Sequence, residues 1–132
     1  SKDNPVYYVQ YAHARIASVF HKLAEQRQTH NRSAGDAARS QLGNDHELEL
    51  MNLMLCYPET VERAAEMRAP HLVANYLREL AAALHGYYDG SGVKVLVDED
   101  DLRNARLNLL LAVKQVLGNG LKLLGVSAPE KM

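Results

Sequence analysis

The feature that most limits what this chain can fold into is a period. From Leu72 onward, apolar residues return as Leu72, Val73, Tyr76, Leu77, Leu80, Ala83, Leu84 and Tyr87. The same spacing runs through Leu102, Ala105, Leu109, Leu110, Val113, Val116 and Leu117. Steps of three and four place such residues on one side of an α-helix, which turns once in about 3.6 residues. Only Val93-Lys94-Val95-Leu96-Val97 alternates as a strand would, and a single strand has no ladder partner. It is expected as an extended connector whose apolar side chains lie on the bundle. The fold class is therefore all-α, an antiparallel bundle of five to six helices. With 132 residues, 47% of them hydrophobic, residues 1–132 form one domain with enough apolar material for a core.

Breaks in the pattern set the expected boundaries. Asp3 or Asn4 can cap a first helix over about Pro5 to Glu25, and Pro5 suits the first turn, where no N–H is needed. Val9, Ala12, Ile16, Phe20 and Leu23 of that helix face the core. Gln26 to Asn44 reads as a long polar loop, with a helical turn within Asp36 to Leu42. It carries Arg27, Arg32 and Arg39 against the single acid Asp36, and a solvated loop is favoured over a basic flap beside an RNA backbone. A second helix opens near Asp45, with Glu47 and Glu49 meeting its positive end and Leu48, Met51, Met54 and Leu55 inward. Tyr57-Pro58 breaks it, since the residue before proline avoids the helical region. A third helix, Glu59 to Met67, turns Val61, Ala64 and Ala65 inward. A fourth runs from Pro70 to about Tyr88, with Asn75, Arg78, Ala82 and His85 on its outer face, and Asp89-Gly90-Ser91-Gly92 stops it. Asp98-Glu99-Asp100-Asp101 caps a fifth helix. Gly118-Asn119-Gly120 ends it, a short helix Leu121 to Leu124 follows, and Ser127 to Met132 leaves the bundle.

The chemistry is thin. No His-Glu-x-x-His, no nucleophile pattern and no phosphate-cradling glycine loop occurs, so the segment is not a catalyst by its own residues. The acids from Asp98 to Asp101 are better explained as a helix start than as a metal site. His13 falls on the core side of the first helix, as a hydrogen-bonded packing histidine. The one cysteine, Cys56, excludes an intrachain disulfide and is expected as a buried thiol in a cytoplasmic protein. No signal peptide is recognisable, and no apolar run approaches the length needed to cross a membrane. The formal net charge is -1, so any RNA contact must rest on local cations, stacking and shape.

One stretch does carry a binding signal. In Tyr7-Tyr8-Val9-Gln10-Tyr11-Ala12-His13-Ala14-Arg15-Ile16, the residues Tyr8, Tyr11 and Arg15 form a second stripe beside the core face. Two aromatic rings and a guanidinium on one stripe can stack unpaired bases and hold a phosphate. Tyr88 adds a ring at the end of the fourth helix, next to the loop with Lys94. On the residues alone, a rim residue with a packed body and a wet hydroxyl is the favoured reading of each tyrosine.

The run Asn4-Pro5-Val6 through Arg15-Ile16 resembles the start of the C-terminal anticodon-binding domain of bacterial arginyl-tRNA synthetases. The likeness returns in Arg106-Leu107, in Val113 through Val126, and in the closing Pro129-Glu130-Lys131-Met132, and so spans essentially the whole chain. The resemblance implies a domain that grips the anticodon loop of arginine tRNA, with Tyr8, Tyr11, Arg15, Tyr88 and Met132 on the contact surface. It also implies a parent enzyme, an arginine-tRNA ligase using ATP with Mg, whose catalytic domain is a partner absent from this chain. Arginine anticodons all carry C in the middle position, so the reader must be strict there and permissive at the third base. The alternative from the residues is a helical protein-interaction module, with Tyr8 and Tyr11 anchoring a partner helix.

Overall fold

The structure, a computed structural model, describes residues 4–132; the expected cap Asp3 lies outside the described residues. These residues form six α-helices, a 3-10 turn at Arg39–Gln41 and no strand: α1 (Pro5–Glu25), α2 (Arg32–Ala37), α3 (Asp45–Leu55), α4 (Tyr57–Glu66), α5 (His71–Gly90) and α6 (Asp100–Leu123). The Asn4 side chain caps α1, its Oδ1 accepting from the Val6 N–H at 2.9 Å. Val9, Ala12, Ile16, Val19 and Leu23 carry α1 into the core, while Phe20 is only partly covered. The expected stripes of α5 and α6 are buried almost throughout, with Leu77, Leu80, Leu84, Leu110, Val113 and Leu117 fully enclosed. The connector from Val93 to Val97 is not extended throughout: it bends at Val95-Leu96, where the Val97 N–H donates to the Val95 carbonyl at 2.9 Å, and it lays Val93, Val95 and Leu96 on the bundle.

Several expectations need correction. The Gly118-Asn119-Gly120 sequence does not end a helix; α6 runs through it to Leu123. The glycines there allow close approach. A Cβ on Gly120 would lie 2.5 Å from Leu77 Cδ2, and one on Gly118 would lie 3.5 Å from His13 Nε2. Helix α5 likewise continues through Asp89 to Gly90. The segment from Gln26 to Asn44 is no open loop, because α2 forms within it under an Asn31 cap. Asn104 Oδ1 accepts from the Asn31 N–H at 2.9 Å, and Asn108 Nδ2 donates to the Arg32 carbonyl at 3.0 Å, which docks α2 on α6. Arg27, Arg32 and Arg39 are exposed and, among the described residues, form no ion pair.

Helix α3 is rotated from its expected setting. Leu48 and Leu55 are exposed, while Leu50 is fully buried. The cause is Glu47, which was expected only to complement the helix end but has no exposed surface. Its Oε2 accepts from Arg106 Nε at 2.8 Å and from the Tyr87 hydroxyl at 2.7 Å, and its Oε1 completes a capping box with the Asn44 N–H. A buried carboxylate fixed by three donors sets which way α3 faces. Cys56, at the junction with α4, is exposed, its Sγ 3.5 Å from the Asn52 carbonyl. Ala65 is exposed too. The acidic run does open α6, but Glu99 makes no side-chain cap, and Asp100 instead pairs with Arg103 at 2.6 Å.

The tail does not leave the bundle. Gln10 Nε2 donates to the Ser127 carbonyl at 2.9 Å, the His13 ring donates through Nδ1 to the Pro129 carbonyl at 2.8 Å, and Lys114 pairs with Glu130 at 3.1 Å. His13 is thus the buried, hydrogen-bonded packing residue expected of it. The contacts also give the helix directions. His13 meets Gly118 near one end of α6, and His30, just past α1, meets Asn108 near the other, so α1 and α6 run oppositely. Leu77 against Gly120, and Tyr87 and Arg106 joined through Glu47, set α5 opposite to α6. Hence α1 and α5 lie side by side pointing the same way. Among the described residues no helix is long and apolar enough to cross a membrane, and no group of three His, Cys, Asp or Glu could hold a metal ion.

Candidate nucleic-acid interface

The first half of α1 and the last turns of α5 enclose an open cavity of about 480 Å³, lined by Tyr7, Tyr8, Tyr11, Arg15, His85 and Asp89. Arg15 organises it. Its Nη1 and Nη2 donate to the two oxygens of Asp89 at 3.0 and 2.8 Å, a bidentate pair. Nη1 also donates to His85 Nδ1 at 2.9 Å. The same guanidinium lies 4.5 Å from the centre of the Tyr88 ring and 5.4 Å from that of Tyr11, both within cation–π range. Around it the rings form a series. Tyr7 and Tyr11 stack at 6.4 Å, Tyr11 and His85 at 5.4 Å, and Tyr8 tilts onto His85 at 4.8 Å. Tyr11 keeps 41% of its surface open to solvent.

The electrostatics follow from that geometry. The hydrogen-bonded Asp89 raises the pKa of Arg15, and Arg15 in return holds the Asp89 carboxyl below its ordinary value. Burial, and then the Arg15 charge, lower the His85 imidazole. Since Nδ1 accepts from Arg15, neutral His85 carries its proton on Nε2, which is buried without a hydrogen-bond partner. Burial raises the Tyr88 phenol. The cavity is therefore walled by neutral π-faces around one cation already balanced by one anion.

A family model for the DALR anticodon binding domain matches residues 9–132. The chain belongs to the DALR anticodon-binding domain family. Across all 132 residues, this DALR domain is 53% identical to a protein of Halorhodospira halophila and 52% identical to one of Coxiella burnetii, both named arginine–tRNA ligase. It spans only 22% of the length of these curated relatives. Its fold matches a solved Thermus thermophilus arginyl-tRNA synthetase with a TM-score of 0.83 at 34% identity, covering 100% of this chain and 22% of that one.

Of the five residues expected at the site of this DALR domain, four meet. Tyr8, Tyr11 and Arg15 share the cavity, and Tyr88 joins them beneath the guanidinium. Met132 is 51% exposed and does not line it; the tail is held on another side of α1, through Gln10 and His13. Sequence reasoning missed Tyr7, His85 and Asp89. Tyr7 stands four residues before Tyr11, a spacing visible in the sequence. His85 and Asp89 share a face of α5 by the same spacing, but only the parallel course of α1 and α5 turns that face to Arg15.

Proposed function

We propose that this DALR domain grips the anticodon stem-loop of an arginine tRNA, on behalf of an arginine-tRNA ligase whose catalytic part lies outside residues 1–132. The ligase uses ATP with Mg and works in the cytoplasm. The observation that carries this reading is the ring series Tyr7, Tyr11, His85 and Tyr8, half-buried but open to solvent at Tyr11, built around a fixed guanidinium. Splayed bases of a single-stranded loop stack on such faces, and each stacked base is worth about 1–3 kcal/mol. Arg15 stands ready to contact a base without first being ordered, because Asp89 and His85 already hold it. Met132, exposed and with an adaptable thioether, is the tail residue proposed to meet a splayed base.

The test is a titration of the chain with an arginine anticodon stem-loop and with the same stem-loop carrying another base at the middle position. Tighter binding of the parent loop is the expected result. Equal binding of both loops would remove anticodon reading, and binding of neither would leave Tyr8 and Tyr11 as anchors for a protein partner.

A further inference from the structure

The groove between α1 and α5 does not stop at Arg15. Beyond Tyr88 it opens into a second cavity of about 470 Å³, walled by Ser18 and Lys22 of α1 and Gln26 at its C-terminal cap, by Tyr87 and Tyr88 of α5, and by the connector from Val93 to Leu96. We infer that this second compartment holds the sugar–phosphate backbone of the same RNA strand whose bases stack on the tyrosines, with Lys22 and Lys94 as its phosphate contacts. The inference rests on the anticodon-loop reading above and extends it to a part of the surface that reading does not use.

Three observations converge. The first is continuity. At 100° per residue, Ser18, Lys22 and Gln26 fall on the stripe of α1 that carries Tyr8, Tyr11 and Arg15. Lys22 stands seven residues past Arg15, a rise of about 10 Å along one rigid helix. Tyr88 is the partition: one cavity meets it through Arg15, the other directly. The second is charge. In the first compartment Arg15 is matched by Asp89, so it offers a polyanion no net attraction. None of the residues lining the second is acidic. Lys22 and Lys94 are exposed there and, among the described residues, form no ion pair. They are the free positive charges that a strand leaving the ring series would meet. The third is construction. A nine-residue connector would be a poor place for a phosphate contact if it moved. It is pinned instead: Arg106 Nη1 donates to the Lys94 carbonyl at 2.9 Å while its Nε is held by the buried Glu47, and Arg103 Nη1 donates to the Val97 carbonyl at 3.1 Å. The Lys94 side chain is thereby left to project from an anchored backbone.

The experiment compares the chain with Lys22→Ala, Lys94→Ala and the double variant, using the same two stem-loops, at about 50 and about 200 mM salt. Each lysine that neutralises a phosphate on a single strand contributes about 0.7 to the slope of log affinity against log salt. The double variant should therefore bind both loops more weakly. The ratio of parent to variant affinity should shrink about sevenfold on that fourfold rise in salt. The loss should be the same for the middle-base variant, since phosphate contacts carry no base information. Double-variant binding that matches the parent at both salts, with Tyr11→Ala still weakened, would overturn this inference alone. So would a loss that does not change with salt. No binding by the parent chain would overturn the anticodon reading and this one with it.

Discussion

At the scale of single residues, Tyr11 does most to present the site. It touches Tyr7, His85 and Arg15, yet leaves 41% of its surface to solvent. Tyr11→Ala should weaken binding of the anticodon stem-loop by about 1–3 kcal/mol while leaving the thermal melt nearly unchanged. An unaltered affinity in the titration would take Tyr11 out of the contact surface. His85 gives a second prediction. The groups facing it are Arg15 and Asp89, with the rings of Tyr8 and Tyr11. Protonating it would remove the acceptor that Arg15 uses and set a like charge beside the guanidinium. Its pKa is lowered from the ordinary 6.5, chiefly by burial. The stability it lends is therefore complete above that value and is lost as pH falls through the lowered one. In an NMR titration the His85 ring should change below the ordinary imidazole value of 6.5. A midpoint at or above that value would mean that the ring is not desolvated.

At the scale of elements, packing decides where propensity and turn signals mislead. Gly120→Ala adds a methyl aimed at Leu77, a side chain with no exposed surface and no free direction to move. It should destabilise the chain by about 1–3 kcal/mol in urea unfolding, although alanine favours a helix by about 1 kcal/mol over glycine. A stabilised variant would mean that α5 and α6 are not in close contact there. The case shows why the sequence misleads at this point: a glycine that ends a helix and a glycine that admits a neighbour look alike in a row of letters. The stripes of α5 and α6 were legible because burial alone fixes them. The setting of α3 was not, because Glu47 takes its direction from Arg106, fifty-nine positions away. The exposure of Cys56 follows from the same rotation. Tyr8, Tyr11 and Arg15 could be grouped in advance because they share one helix. Asp89 and His85 could not, since their meeting with Arg15 depends on which way two distant helices run.

At the scale of the whole molecule, the Glu47 carboxylate joins α3, α5 and α6, and through Arg106 it also fixes the connector. Removing one partner of a buried ion pair leaves the other uncompensated. Arg106→Ala should cost about 3 kcal/mol, near the lower end for such pairs because the Tyr87 hydroxyl and the Asn44 N–H remain to Glu47. The denaturant midpoint should fall, and part of the loss should return when Glu47→Gln is combined with it. An unchanged midpoint would show that the network does not bear on stability. Tyr7, Tyr8, Tyr11, Arg15 and Lys22, by contrast, stand on a single uninterrupted α1 of 21 residues. One extra amino acid inserted between Arg15 and Ser18 would swing everything after it by about 100°, pointing Lys22 away from its groove and dislodging Leu23 from the interior. Point changes along this rod can be absorbed one at a time, whereas a change in its length shifts the phase of both the grip and the core at once.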